Sequence, residues 1–515
     1  MTTKEKIIAL IIGISVLFLV NLPIFYFYLF PKDNLVFLGR RIVNSQDTYT
    51  YVSFIEEAKQ GKIIFDNLYT TQAQIPSLIR PSYIVIGKFA SIFNISSTSA
   101  YHLSRLLLSI PLLIVLYKFL SLFFETSKKR LIAFTILLTS SGLGFILGGL
   151  IPGSTDLWIP EANTFLSLAE SPHFILSQIL MIEGFLLFLR FLEKKKLIYI
   201  FTSTVLFLFL SFEHPYNMFI IAPIIFLTSF FSNQKLFKSA FFASISSFGI
   251  IYQIWQAIAN PILKSWQVKL ISPSPTAYLA GFGFLIPFSI IGAEDFIRQN
   301  SIKHKFILIW LFVTAVMIYA PLDFQRRMIE GIHIPLVILT TTGLFTVAGR
   351  FKKQIRLLIL YGTIFILSLS SFYIIFNDLN TIGKDSSQNY YYYISKSESE
   401  GITWLKNNTN ESDGILSNWF FGNIIPGITG RKVYLGHKAQ SGNFDQKVEL
   451  LNSFLLNENI VTSVEFLKQN NINYIFIGNF DPLLSYGFKP DNKPFLKKVY
   501  SKNAVLIYKV KYNSP

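Results

Sequence analysis

The sequence predicts an α-helical polytopic membrane protein with about eleven transmembrane helices and a small external C-terminal α/β domain. Three observations predict it. Apolar runs recur at close to the twenty residues that an α-helix needs to cross about 30 Å of hydrocarbon. Of the 515 residues, 51% are hydrophobic and 15% charged, against about a quarter charged in soluble domains. Finally, the basic residues gather at every second loop, as they do when those loops face the cytoplasm.

The runs fall at about 7–30, 101–124, 131–150, 173–192, 197–212, 215–231, 237–259, 276–293, 306–321, 332–348 and 356–376. The first is too long for a signal peptide and lacks a small-residue cleavage pattern before Asn21-Leu22-Pro23, so it is expected to stay as a helix. Glu213, His214 and Pro215 separate the fifth run from the sixth. Proline and charge at that point favour two helices over one.

Lys4 and Lys6, Lys128-Lys129-Arg130, Lys194-Lys195-Lys196, Lys235 with Lys238, Arg298 with Lys303 and Lys305, and Arg350-Phe351-Lys352-Lys353 mark alternate loops. They place the N-terminus in the cytoplasm, and an odd number of crossings then puts the C-terminal domain outside the cell membrane, extracellular or periplasmic. The excess of 46 Lys and Arg over 29 Asp and Glu, a net +17, is thereby accounted for as topology. Nucleic-acid binding loses its main support. With no cysteine in the chain, disulfides, thiolate metal sites and cysteine nucleophiles are excluded.

Residues 1–376 therefore read as the membrane domain and 377–515 as the external one. Within the former, residues 31–100 form a long first external loop, and its short apolar piece Tyr83 to Phe93 is expected to lie along the interface. Two further external loops span about 151–172 and 260–275, the latter with Trp266 and Pro273-Ser274-Pro275. Past Asn377 the apolar runs shorten. Ser397 to Asn407 and Val461 to Gln469 have helical spacing, while Gly414 to Asn418, Lys432 to Leu435 and Asn473 to Gly478 read as strands. The four tyrosines 390–393 are expected at the membrane interface, with sugar stacking as the other use.

The chemistry-bearing residues cluster in or near the external loops. In NSQDTYTYVSFIEEAKQG, Tyr51, Phe54, Ile55 and Ala58 recur at helical spacing, which leaves Glu56 and Glu57 on a solvated face. Asp47 precedes that helix, and spacing alone leaves capping and catalysis equally open. Arg326 and Arg327 are positive charges in an outward turn, against the sign rule. An anionic ligand is one explanation, and a structural pairing with Asp323 or Glu330 is the other. Arg105 and Arg80 carry a weaker claim of the same kind. Glu161, His173 and His214 lie near external helix ends, where substrate contact competes with an ordinary hydrogen-bonded role. Glu183 inside a span requires a polar partner or a neutral form. His437 in GRKVYLGHK reads as part of a turn. No glycine-rich phosphate loop, zinc helix or nucleophile elbow is present. Asn407-Asn408-Thr409 and Asn410-Glu411-Ser412 match the glycosylation triplet.

The order of these features, with the phrases QDTYTYVSF, PEANTFLSLAESPHF, EHPYN, FQRRMIEGIHIPL and GNIIPGITGRKVYLGH, resembles the GT-C glycosyltransferases. That family includes protein O-mannosyltransferases and the bacterial transferases that add sugars to lipid A. The resemblance implies an inverting transferase that moves a sugar from a polyprenyl-phosphate donor to a glycan, lipid or protein acceptor at the outer face of the membrane. It also implies that Asp47 matches the acidic residue that activates the acceptor hydroxyl. Gln46-Asp47 stands where some members have paired acids, so a divalent metal is possible but not indicated, and the sequence identifies no certain cofactor. A lipid or polysaccharide transporter or flippase, or a non-catalytic envelope-binding scaffold, would share the membrane architecture. No internal repeat of the kind transporters carry is visible, and the one-sided loops favour a reaction site.

Overall fold

The computed structural model describes residues 2–148, 150–232, 236–260, 262, 269–384, 391–479, 481, 483 and 487–512. Lys235, Trp266 and Tyr390 lie outside the described residues. The protein is an α-helical membrane protein with a small C-terminal sheet region. Its chain divides into two compact units, one of residues 1–23, 104–253 and 269–380, the other of 24–103, 254–268 and 381–515.

The first unit is helical. Pro172–Lys194 and Leu197–Glu213 are separate helices, and the chain turns at His214 into a short helical turn, Pro215–Asn217, before Met218–Phe231. Three expected spans are interrupted. The third leaves the helix after Thr139 and resumes briefly as Gly144–Leu147. The seventh is split into Leu236–Ser246 and Phe248–Ala259. The eighth is Pro275–Phe282 followed by Leu285–Gln299 at a bend of 83°. Gly283, at φ +49, makes that bend possible. Seven helices among the described residues are long and apolar enough to cross a membrane, eight with the bent pair, rather than the eleven expected. Leu197–Glu213 and Pro215–Phe231 are apolar but shorter.

Close packing in this unit depends on small residues. A Cβ at Gly292 would meet the Leu339 carbonyl and one at Gly343 the Phe288 carbonyl, so helices Leu285–Gln299 and His333–Gly349 approach backbone to backbone. Trp310, Phe185, Phe306 and Phe119 fill the centre, with Phe185 and Trp310 rings 4.9 Å apart. Outward-facing side chains are large and apolar, Leu10, Ile14 and Phe18 on one helix and Tyr361, Phe365, Phe372 and Phe376 on another. Such stripes suit lipid contact. Several basic loops meet at one end. Arg130 Nε lies 2.6 Å from Glu5 Oε1, and Lys303 Nζ donates to Leu122 O at 2.9 Å. Glu183 finds its expected polar partner in Lys118, 3.0 Å away.

The second unit joins the loop that follows the first helix to the C-terminal region. β1 (Leu35–Phe37) pairs antiparallel with β2 (Tyr393–Ser395), Val36 opposite Ile394. The remaining strands, β3 (Gly414–Leu416), β4 (Lys432–Val433), β5 (Ile472–Ile477), β6 (Leu496–Lys502) and β7 (Val505–Val510), form one sheet in the order β4-β3-β5-β7-β6. β3 is parallel to both neighbours, and β7 is antiparallel to both of its own. Loop and sheet are further tied by Val433 N donating to Leu68 O at 2.8 Å. Helix Ser82–Ile92 packs one face against helix Asp47–Lys59, where Gly87 admits Ala58 and the Ile55 carbonyl. Its Val85, Ile92 and Phe93 remain exposed.

One sequence expectation fails here. Glu56 and Glu57 are 2% and 0% exposed rather than solvated. Lys406 Nζ reaches Glu56 Oε1 at 2.6 Å and Lys62 Nζ reaches Glu57 Oε1 at 3.0 Å; these partners lie outside the helix and are invisible to helical spacing. Burial still pushes the Glu57 carboxyl up to about 7, against the pull of Lys62. Of the tyrosine run, Tyr392 and Tyr393 are buried in this unit, Tyr393 as the first residue of β2.

Candidate active site

Asp47 is the first residue of helix Asp47–Lys59, so its carboxylate is at the end of the helix rather than in the capping position, which Gln46 occupies. The chain reaches it through Asn44, at φ +49, with Asp47 N donating to Asn44 O at 2.9 Å. The Asp47 side chain is one-third exposed, and its Oδ1 lies 2.8 Å from His437 Nε2. Both line an open pocket of about 440 Å³ with Asn44, Ser45, Gln46, Tyr391, Lys438 and Ala439.

The walls of this pocket are fixed by buried polar groups. Tyr391 Oη and Ser45 Oγ are 2.7 Å apart. Arg40, 1% exposed, stacks on the Tyr49 ring at 4.7 Å and faces Tyr391 at 5.7 Å. It also donates to Asn423 Oδ1, whose Nδ2 in turn donates to Gln46 O at 3.2 Å. Burial lowers the proton affinity of Arg40, while the surrounding tyrosines oppose that effect. Arg80, at φ +48, places its guanidinium over Tyr51 at 4.9 Å.

The other candidates belong to the helical unit. Arg327 pairs with Glu161, and neither Asp323 nor Glu330 is the carboxylate of that contact. Burial raises the Glu161 carboxyl, but Arg327 and Arg326 together hold it below the usual range. Arg326 lies over the Trp158 ring at 4.7 Å. Both arginines sit on the turn Gln325–Ile329, which ends at Glu330. His214 Nδ1 is 2.6 Å from Glu330 Oε2, which also accepts from Asn217 Nδ2 at 3.0 Å. The His173 ring is 5.0 Å from that of His214. Glu161, His173, His214 and Glu330 are all at most 2% exposed, so the structure brings these candidates into one buried polar cluster. Arg105 is different. Its guanidinium donates to Asn21 Oδ1 at 2.6 Å and to the Ala169 carbonyl, joining segments far apart in the chain.

Sequence reasoning missed His437 as a partner of Asp47 and Glu330 as a partner of His214. His437 does sit in a turn, with Ser441 N donating to its carbonyl at 2.9 Å, but the ring points into the pocket wall. The residues are 390 apart, a separation no spacing rule covers. Among the described residues, no group of three or more His, Cys, Asp or Glu side chains is placed to hold a metal ion.

No family model and no curated protein sequence matches the chain. Solved structures do. The oligosaccharyltransferase of Archaeoglobus fulgidus in its apo form superimposes with a TM-score of 0.58 at 14% identity, over 92% of this chain and 69% of that one. The same organism's AglB, solved with an inhibitory peptide and a dolichol-phosphate, gives 0.53 at 13% identity over 98% and 75%. ArnT from Cupriavidus metallidurans bound to undecaprenyl phosphate gives 0.50 at 10% identity over 100% of both chains. The chain thus has the fold of the GT-C polytopic membrane glycosyltransferases.

Proposed function

We propose that the protein is an inverting glycosyltransferase that moves a sugar from a polyprenyl-phosphate donor to an acceptor at the outer face of the membrane. The observation that carries this reading is the one-third exposed Asp47 carboxylate in an open pocket, on the fold that AglB and ArnT share. A carboxylate within hydrogen-bond reach of an acceptor hydroxyl takes its proton as that oxygen attacks the anomeric carbon. Attack opposite the leaving phosphate inverts the anomeric centre. The phosphate is already a good leaving group, so it needs cations to meet its growing charge more than it needs an acid.

Arg326 and Arg327 are assigned that second role in the helical unit, since a guanidinium can hold phosphate oxygens in two-point contact. Glu161, His173 and His214 then set the position and charge of the turn that carries them. The lipids in the AglB and ArnT structures, a dolichol-phosphate and undecaprenyl phosphate, support a lipid-phosphate donor here. The basic loops support a cytoplasmic N-terminus and an outward-facing C-terminal domain.

Purified full-length protein in lipid nanodiscs, given radiolabelled undecaprenyl-phosphate and dolichyl-phosphate sugars with extracted envelope glycans and peptides, is expected to release polyprenyl phosphate and move the label. Binding of these lipids with no release in any combination would contradict the reading and favour a carrier.

A further inference from the structure

The turn at residues 434–441 is held from several sides. Gly436 N donates to Ser441 Oγ at 2.9 Å. Lys447, 4% exposed, donates to Ser441 O at 2.6 Å, Tyr434 O at 3.1 Å and Thr70 Oγ1 at 3.0 Å. Burial pulls this ammonium down to about 8, the cost of placing a charge among neutral acceptors. Asn67 Nδ2 adds a donor to Gln440 O at 2.7 Å. The first external loop and helix Phe444–Leu456 therefore clamp one turn together.

That clamp fixes the His437 ring. Ala439 N–H donates to His437 Nδ1 at 3.1 Å, so that lone pair is used and the ring proton sits on Nε2. Nε2–H is then the donor in the 2.8 Å contact with Asp47 Oδ1.

We propose that His437 is a positioning residue for Asp47, its Nε2–H holding Oδ1 and so fixing the orientation in which the carboxylate meets the acceptor hydroxyl. This rests on the reading of Asp47 as the base. In the step itself the acceptor O–H bond breaks and its proton goes to the Asp47 carboxylate. The acceptor oxygen bonds to the anomeric carbon, and the bond from that carbon to the phosphate oxygen breaks, its electron pair leaving on the lipid phosphate. His437 neither gains nor loses a proton. It restricts the carboxylate to one orientation, and correct placement of a reacting group is a large share of such catalysis.

The test uses full-length protein and the variants His437→Ala, His437→Gln and Asp47→Asn. A glutamine amide nitrogen reaches about where Nε2 lies, so it restores the donor without the ring. The first readout needs no substrate: carboxyl labelling with a water-soluble carbodiimide and glycine ethyl ester in mildly acid buffer, read at Asp47 by peptide mass spectrometry. Labelling is expected to rise about tenfold in His437→Ala, as the carboxylate loses a charge-assisted donor, and to fall back in His437→Gln. Equal labelling in wild type and His437→Ala would overturn the proposal. The second readout is transfer from radiolabelled undecaprenyl-phosphate sugars. A fall in kcat of about 10- to 100-fold with donor KM unchanged is expected in His437→Ala, with recovery in His437→Gln. A loss confined to KM, or a kcat that glutamine does not rescue, would overturn it in favour of a purely structural turn. Turnover that persists in Asp47→Asn would instead defeat the base assignment, leaving the labelling to decide what His437 does.

Discussion

Replacing Arg327 by alanine removes the cation that faces a carboxylate from which water is almost excluded. The Glu161 side chain is 1% exposed and that of Arg327 17%. Breaking a buried pair from one side costs about 3–5 kcal/mol, and although Arg326 still acts on Glu161, the carboxylate loses its hydrogen-bonded cation. Removing both charges costs much less. Arg327→Ala should therefore be strongly destabilised, and Glu161→Gln combined with Arg327→Ala should recover at least about 1 kcal/mol of that loss through coupling. Arg326 is predicted to behave differently, since stacking over Trp158 is worth only about 0.5–1 kcal/mol at a partly exposed site. Thermal inactivation of the detergent-purified variants, at one fixed heating rate, orders their stabilities. Native mass spectrometry with undecaprenyl phosphate then separates folding from binding. The double variant is expected to be stable yet weak in lipid binding, and Arg326→Ala likewise. An Arg327→Ala protein that survives heating as wild type does, or a double variant no better than the single, would refute the ion-pair argument. Unchanged lipid affinity in Arg326→Ala with Arg327→Ala would refute the phosphate assignment.

Gly331 follows the arginine turn at φ +82, and a Cβ there would lie 2.8 Å from Met181 Sδ and 3.1 Å from Trp310. Gly331→Ala should cost about 1–3 kcal/mol through backbone strain and crowding; thermal inactivation indistinguishable from wild type would contradict this. Glu57 gives a pH prediction. Its folded carboxyl keeps a proton up to about 7, whereas the ordinary value is 4.5, so the folded protein holds a proton that the unfolded chain has released. Stability should fall as pH rises through that window, by at most about 3 kcal/mol from this group. Denaturation across the window should show a shallower fall in Glu57→Gln, and an identical slope would place the effect elsewhere.

What the sequence made legible was mainly what repeats locally. Apolar runs found the helices, including the break at His214, and the short apolar run in NYIFIG found β5. The bend at Gly283 and the break near Ser247 were not visible, because composition stays apolar across both. In the second unit the difficulty was long-range pairing. Nothing near Leu35–Phe37 announces that its partner is Tyr393–Ser395, and the β6–β7 hairpin was passed over because its strands mix lysines with apolar residues. The site shows the same division. Asp47 and the arginine turn were legible as charges in unexpected places. Glu161 as the partner of Arg327, Glu330 as that of His214 and His437 as that of Asp47 exist only in three dimensions.

The central claim is that the Asp47 carboxylate is the group that accepts the proton. Its most direct test is single-turnover transfer from a radiolabelled polyprenyl-phosphate sugar by Asp47→Asn, beside equilibrium binding of the same lipid. Asparagine keeps the size and a hydrogen-bond acceptor but cannot take the proton. The account predicts a loss of transfer rate of about 10²- to 10⁴-fold with lipid affinity essentially as in wild type. Transfer at the wild-type rate would contradict it.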